Sequence, residues 1–121
     1  MIITLPKDII KITRASKKDR IKAFRFNASR NRAIVPHDVV DMFKGLGIDM
    51  FVSPKERCLY LSFGSSGQTQ FSVNPKNGYV GCKKLFEWAR NAEAPMFEDY
   101  LYEDYQIDRK NKIVRVNLER E

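Results

Sequence analysis

Ten lysines and arginines fall between Lys7 and Arg32, against only Asp8 and Asp19 in the same stretch. Cationic side chains at that density have one obvious chemistry: they neutralise phosphates and release the counterions held there. Arg25 lies between Phe24 and Phe26, and Arg30 and Arg32 flank Asn31, so three guanidinium groups come from one short strand and its turn. Planar guanidinium forks match base edges and phosphates, whereas lysines act as point charges. The candidate nucleic-acid contacts are Lys17, Lys18, Arg20, Lys22, Arg25, Arg30 and Arg32. Lys83 and Lys84 add two cations at the start of a second helix, where the dipole mildly disfavours them and a partner contact would compensate.

Other chemistries find less support. His37 is the one histidine, and Cys58 and Cys82 lack the spacing of a zinc site. No nucleophile, imidazole and acid fall together, so an enzyme is not expected, nor a metal, a cofactor or a small-molecule substrate. Gly64-Ser65-Ser66-Gly67 lacks the following lysine and the strand-to-helix setting of a phosphate loop. Both thiols lie in apolar surroundings and read as buried and reduced, which suits a cytoplasmic protein.

A contrary feature lies near the end of the chain. Glu98, Asp99, Tyr100, Tyr102, Glu103 and Asp104 mix carboxylates with aromatic rings and contain no lysine or arginine. Such a run can hold a basic protein partner, because tyrosines are enriched at interface centres. The alternative to a DNA-binding regulator is therefore a small inhibitor or accessory protein of the kind that phages and mobile elements encode, acting through segment 97–108.

The arithmetic of the whole chain agrees with this division. The 121 residues carry a formal charge of +7. Residues 1–60 hold 13 basic and 6 acidic side chains, whereas residues 61–121 hold 9 of each. The length suits one domain, and 43% hydrophobic residues can build a core. No stretch approaches a membrane span, and Met1–Leu5 is cut short by Pro6-Lys7-Asp8, so no signal peptide is expected.

Hydrophobic periodicity supplies the elements that must hold these side chains. Pro6–Ile12 fits one helical turn with Pro6 at its start, Ile10, Ile12 and Arg14 alternate instead like a strand, and Ala15–Asp19 reads as a charged loop. Ile21–Asn27 and Arg32–Val35 are short strands about a turn. Pro36 opens a helix with Val39, Val40 and Phe43 on one face, and Gly45-Leu46-Gly47 ends it. A hairpin follows through Met50–Val52 and Cys58–Phe63. The order then recurs: Thr69–Val73, a turn at Asn74–Gly78, Tyr79–Gly81, a helix from Cys82 to Arg90, and a hairpin through Tyr100–Arg109 and Lys112–Leu118.

The recurrence extends to residues. Phe24, Phe26 and Asn27 match Phe71, Val73 and Asn74 at an offset of 47. After one deletion, Asn31, Ile34, Val39 and Val40 match Asn77, Val80, Leu85 and Phe86 at 46. Val52–Phe63 aligns with Ile107–Leu118 at 55 without a gap. Neither half could bury a core alone, but two together can. The expected fold class is α+β: two pseudo-symmetric strand-strand-helix-strand-strand halves, 21–63 and 69–118, forming one compact β-barrel-like domain over 21–121. Residues 1–20 form a basic N-terminal segment ahead of it.

Arg32-Ala33-Ile34-Val35-Pro36, a short helix and Leu46-Gly47-Ile48 resemble the AbrB/SpoVT/MraZ family of bacterial swapped-hairpin DNA-binding proteins. The resemblance reaches motif detail over Ile21–Phe63 and covers Thr69–Leu118 in element order. It implies two interleaved units in one compact barrel, transcriptional regulation, double-stranded DNA as the partner, and Arg25 and Arg32 at DNA-contacting positions. The second half has Gly78 where the first has Arg32, so the implied contact is one-sided.

Overall fold

The alternation of Phe24-Arg25-Phe26-Asn27 forms strand β1 (Phe24–Asn27), with the two phenylalanines buried and Arg25 exposed. The computed structural model describes residues 2–12, 22–65, 67–91 and 101–119. A single 3-10 turn, Ala28–Arg30, leads to β2 (Arg32–Ile34). Pro36, at φ −64°, caps helix α1 (His37–Met42), which buries Val39 and Val40. Strands β3 (Gly47–Ser53) and β4 (Cys58–Gly64) form the first long hairpin. Then come β5 (Phe71–Ser72), β6 (Tyr79–Gly81) and α2 (Lys83–Asn91). Leu85, Phe86 and Ala89 form the buried stripe of α2. The chain closes with β7 (Leu101–Tyr102), β8 (Tyr105–Asp108) and β9 (Ile113–Asn117).

These strands make two antiparallel sheets, a four-stranded one in the order β6-β2-β1-β7 and a five-stranded one in the order β5-β3-β4-β9-β8. Phe24, Phe26, Ala33 and Val80 from the first sheet share one core with Ile48, Leu59, Leu61, Val114 and Val116 from the second. Phe43 stacks on Phe63, with ring centroids 4.4 Å apart, so the end of α1 is tied to β4.

The expected α+β class is present, but the sheets do not close into a barrel. The strands at their edges, β5, β6, β7 and β8, have only two to four residues. That is too short a ladder to join one sheet to the other. The expected final hairpin is also divided. Leu101–Tyr102 pairs with β1 in the first sheet, and after Glu103-Asp104 the chain enters the second sheet beside β9. After Pro6 the chain makes a single turn at Lys7-Asp8 and no helix, no strand forms in residues 2–12, and the 15–19 loop lies outside the described residues. Among the described residues no helix is long and apolar enough to cross a membrane.

Four hydrogen bonds outside the strand ladders recur in pairs. Val35 N–H donates to the Gly78 carbonyl (2.8 Å), and Cys82 N–H to the Asn31 carbonyl (2.9 Å). Phe63 N–H donates to the Lys112 carbonyl (2.8 Å), and Leu118 N–H to the Arg57 carbonyl (2.9 Å). The acceptors Asn31, Gly78, Arg57 and Lys112 all have positive φ, between 50° and 73°.

Both cysteines are free and buried. Burial pushes the Cys82 thiol from 9.0 up to about 11, against a backbone hydrogen bond at Ala33 that favours the thiolate. The folded protein therefore holds this proton more tightly than the unfolded chain. Stability from the buried thiol is complete below pH 9 and is lost as pH rises towards 11. The fall is expected to reach roughly 2–3 kcal/mol. Urea titrations below pH 9 and near pH 11 should show it, and Cys82→Ala should remove most of it.

Candidate nucleic-acid interface

Cross-strand register puts the arginines of the first sheet on its solvent face. Arg25 pairs with Leu101 on one side and Ile34 on the other, and Ile34 pairs with Tyr79. The adjacent outward row is Asn27, Arg32 and Gly81. Phe26, Ala33 and Val80 form the inward row between them. The outward positions of this sheet thus carry two arginines, a tyrosine, an asparagine and apolar residues, and no carboxylate among the described residues.

Arg32 is the best oriented of these cations. Its guanidinium carbon lies 4.3 Å from the Tyr79 ring centroid. The two residues are diagonal neighbours across β2 and β6, which long side chains can span. Cation–π contact at such a site is worth about 0.5–1 kcal/mol, enough to bias the rotamer and leave the fork's donors available. An open groove runs beside the pair, lined by Arg32, Ser72, Asn74, Lys76, Tyr79 and Gly81.

The turn carrying Arg30 is built from its own side chains. Asn27 Oδ1 accepts from Arg30 N–H at 3.2 Å and from the Ser29 hydroxyl at 2.8 Å. Asn31 then takes a left-handed conformation at φ 50°, and its carbonyl accepts from Cys82. That last bond sets the turn against the start of α2, where Lys83 and Lys84 are exposed. Lys83 and Glu87 approach to 4.0 Å, an exposed pair of little energetic weight. Lys22 is exposed two residues before β1, whereas Lys17, Lys18 and Arg20 lie outside the described residues.

The acidic, tyrosine-rich run divides differently from its expected role. Glu98, Asp99 and Tyr100 lie outside the described residues. Tyr102 is 2% exposed, with its ring edge-on to Phe26 at 5.2 Å, so it serves the core and not a contact surface. Glu103 and Asp104 are exposed. Asp104 accepts from the Asn117 side-chain amide at 2.9 Å, and its carbonyl accepts Asn117 N–H at 2.9 Å, so it also anchors the entry to β8. Tyr105 packs edge-on to Phe24 at 5.2 Å and donates to both carboxylate oxygens of Asp38, at 2.9 and 2.8 Å. Burial, then the Asp38 carboxylate, hold the Tyr105 hydroxyl well above its ordinary range. Asp38 is engaged in joining α1 to β8.

His37 opens α1 half-buried. Among the described residues no three His, Cys, Asp or Glu side chains gather where they could hold a metal ion. Tyr79 and Lys76 are the residues of this candidate surface least apparent from sequence. The alternation of Tyr79 with Val80 is the signal that could have placed Tyr79 on the outer face. The chain matches no family model, no curated protein and no solved structure.

Proposed function

We propose that the chain is a DNA-binding protein, a small transcriptional regulator without catalytic activity, that lays the outer face of its four-stranded sheet on double-stranded DNA. The observation that carries this reading is the outward face that holds Arg25 and Arg32 as diagonal neighbours, with no carboxylate at its described positions. Two antiparallel strands fit the major groove, about 12 Å wide. Arg32, steadied by Tyr79, would reach base edges. Arg25, Arg30, Lys22 and Lys76 would contact phosphates and set the register. The Arg30 turn and the groove beside Lys76 would contact the duplex on either side of the β2–β6 pair, at one edge of the sheet.

The same reading takes the chain as two copies of one unit, in the manner of the AbrB-like swapped-hairpin proteins it resembles. The paired hydrogen bonds support it. Asn31 and Gly78, like Val35 and Cys82, lie 47 positions apart, and Arg57 and Lys112, like Phe63 and Leu118, lie 55 apart. The one-residue difference between halves then falls at Pro36, not in the preceding turn. Arg32 corresponds to Tyr79 instead of Gly78, so the one-sided contact becomes an arginine stacked on the aromatic residue that replaces it.

Anisotropy of a labelled duplex against salt tests the proposal. Affinity should fall steeply with salt, as counterion release requires. Arg25→Ala with Arg32→Ala should lower the salt slope by about 1, for the lost Arg25 phosphate contact, and weaken binding by about 10- to 100-fold at about 50 mM salt. Lys110→Ala, exposed in the β8–β9 turn, should change little. No binding by the unaltered protein at that low salt would end the proposal.

A further inference from the structure

Residues 2–12 expose six large apolar side chains: Ile2, Ile3, Leu5, Ile9, Ile10 and Ile12 are between 52% and 93% accessible. The folded body exposes far less. Among its described residues the exposed large apolar side chains are Phe51, at 59%, and Leu101, at 36%. Phe51 lies on β3, of which β5 pairs only Gly47 and Ile48. From Asp49 to Ser53 the edge of β3 has no strand beside it among the described residues. An unpaired edge with an exposed phenylalanine is a template for strand addition, and apolar surface of this extent marks an interaction.

We infer that two copies of this chain exchange their N-terminal arms, each arm pairing as an added strand along the Asp49–Ser53 edge of the other copy. The pattern of the arm fits that edge. In β3, Met50 and Val52 are half-buried towards the core and Phe51 points outwards. In the arm, Ile10 and Ile12 alternate with Lys11, so one face extends the apolar layer while Ile9 and Lys11 lie on the Phe51 side. Lys7 and Lys11 give the arm a positive balance over Asp8, opposite an edge whose one charged residue is Asp49. Within one copy no described residue pairs with the arm or with this edge. A reciprocal exchange covers both and closes the assembly at two chains. The pairing needs no nucleic acid.

Sedimentation of the full chain at about 100 µM tests this, since a Kd near 10 µM would leave most chains paired. The expected result is twice the chain mass for the unaltered protein. Ile10→Asp with Ile12→Asp, on an arm without regular structure, should give single chains with an unchanged far-ultraviolet circular dichroism spectrum. Phe51→Asp should do the same. A single-chain mass for the unaltered protein overturns the inference, including the case of an arm folded onto its own body. A dimer that persists in the arm variant overturns it as well, and a folded Phe51→Asp variant that still dimerises overturns the assigned edge. If Phe51→Asp does not fold, the arm variant alone decides whether the arm makes the dimer.

Discussion

Gly78→Ala is expected to destabilise the protein by about 3–4 kcal/mol, a large share of the roughly 5–15 kcal/mol that holds a domain of this size. Two independent terms combine. Gly78 has φ +73°, a conformation that costs an L residue about 1–2 kcal/mol. A Cβ there would also lie 2.3 Å from the Val35 carbonyl oxygen, with the Val35 carbonyl carbon and nitrogen both at 3.3 Å. All three are backbone atoms and cannot swing aside. Relief requires β2 and the turn after β5 to separate, which breaks the 2.8 Å bond from Val35 N–H to Gly78 O, worth about 1–3 kcal/mol if its groups stay buried. Two other glycines isolate the terms. Gly45, at φ +81° with nothing within 4 Å of its Cβ position, should show only the conformational part on Gly45→Ala. Gly81 has open space and no positive φ, so Gly81→Ala should change stability by less than about 0.5 kcal/mol. Urea midpoints of the three variants, in the order Gly78, Gly45, Gly81, are the check.

Phe26→Ala should remove about 3–5 kcal/mol. Phe26 is 1% exposed and its ring meets two others edge-on, Tyr102 at 5.2 Å and Phe86 at 6.3 Å. Its cross-strand partner is Ala33, too small to move into the space a missing ring would leave. The variant therefore loses the transfer energy of the ring and opens a cavity between β1, β7 and α2. Phe26→Leu, which refills part of the space, should lose about 1–2 kcal/mol. Chemical denaturation followed by near-ultraviolet circular dichroism reads both. An alanine variant within 1 kcal/mol of the parent would mean that α2 collapses onto the sheet, contrary to the packing described.

Elements defined by periodicity alone were legible in the sequence. Phe24-Arg25-Phe26 and Leu59-Tyr60-Leu61 alternate because one face of each strand meets the core. Leu85, Phe86 and Ala89 are spaced as one face of a helix requires. What remained hidden depends on partners distant in sequence. Alternation states that a strand has two faces and does not state which sheet it joins. Tyr100–Arg109 therefore read as one strand, although Tyr102 and Tyr105 serve different sheets. The same blindness made Tyr102 resemble an interface residue. Its acidic neighbours suggested a wet surface, while its pairing with Phe24 makes it core. For the site, Arg25 was legible from its two phenylalanine neighbours. The role of Tyr79 was not, because it depends on the register of β2 against β6.

The switch of the chain between sheets at Glu103-Asp104 bears on how the molecule is assembled over time. The first sheet gains its fourth strand only when Leu101–Tyr102 reaches β1, nearly eighty positions earlier, and the second needs Ile113–Asn117 beside β4. Only hairpins such as β3–β4 can form from nearby residues. Non-local pairing of this kind slows folding, because loop closure precedes any reward from contact. During synthesis, the exposed edges of β1 and β4 must wait for the last fifth of the chain, an interval in which they are open to wrong partners.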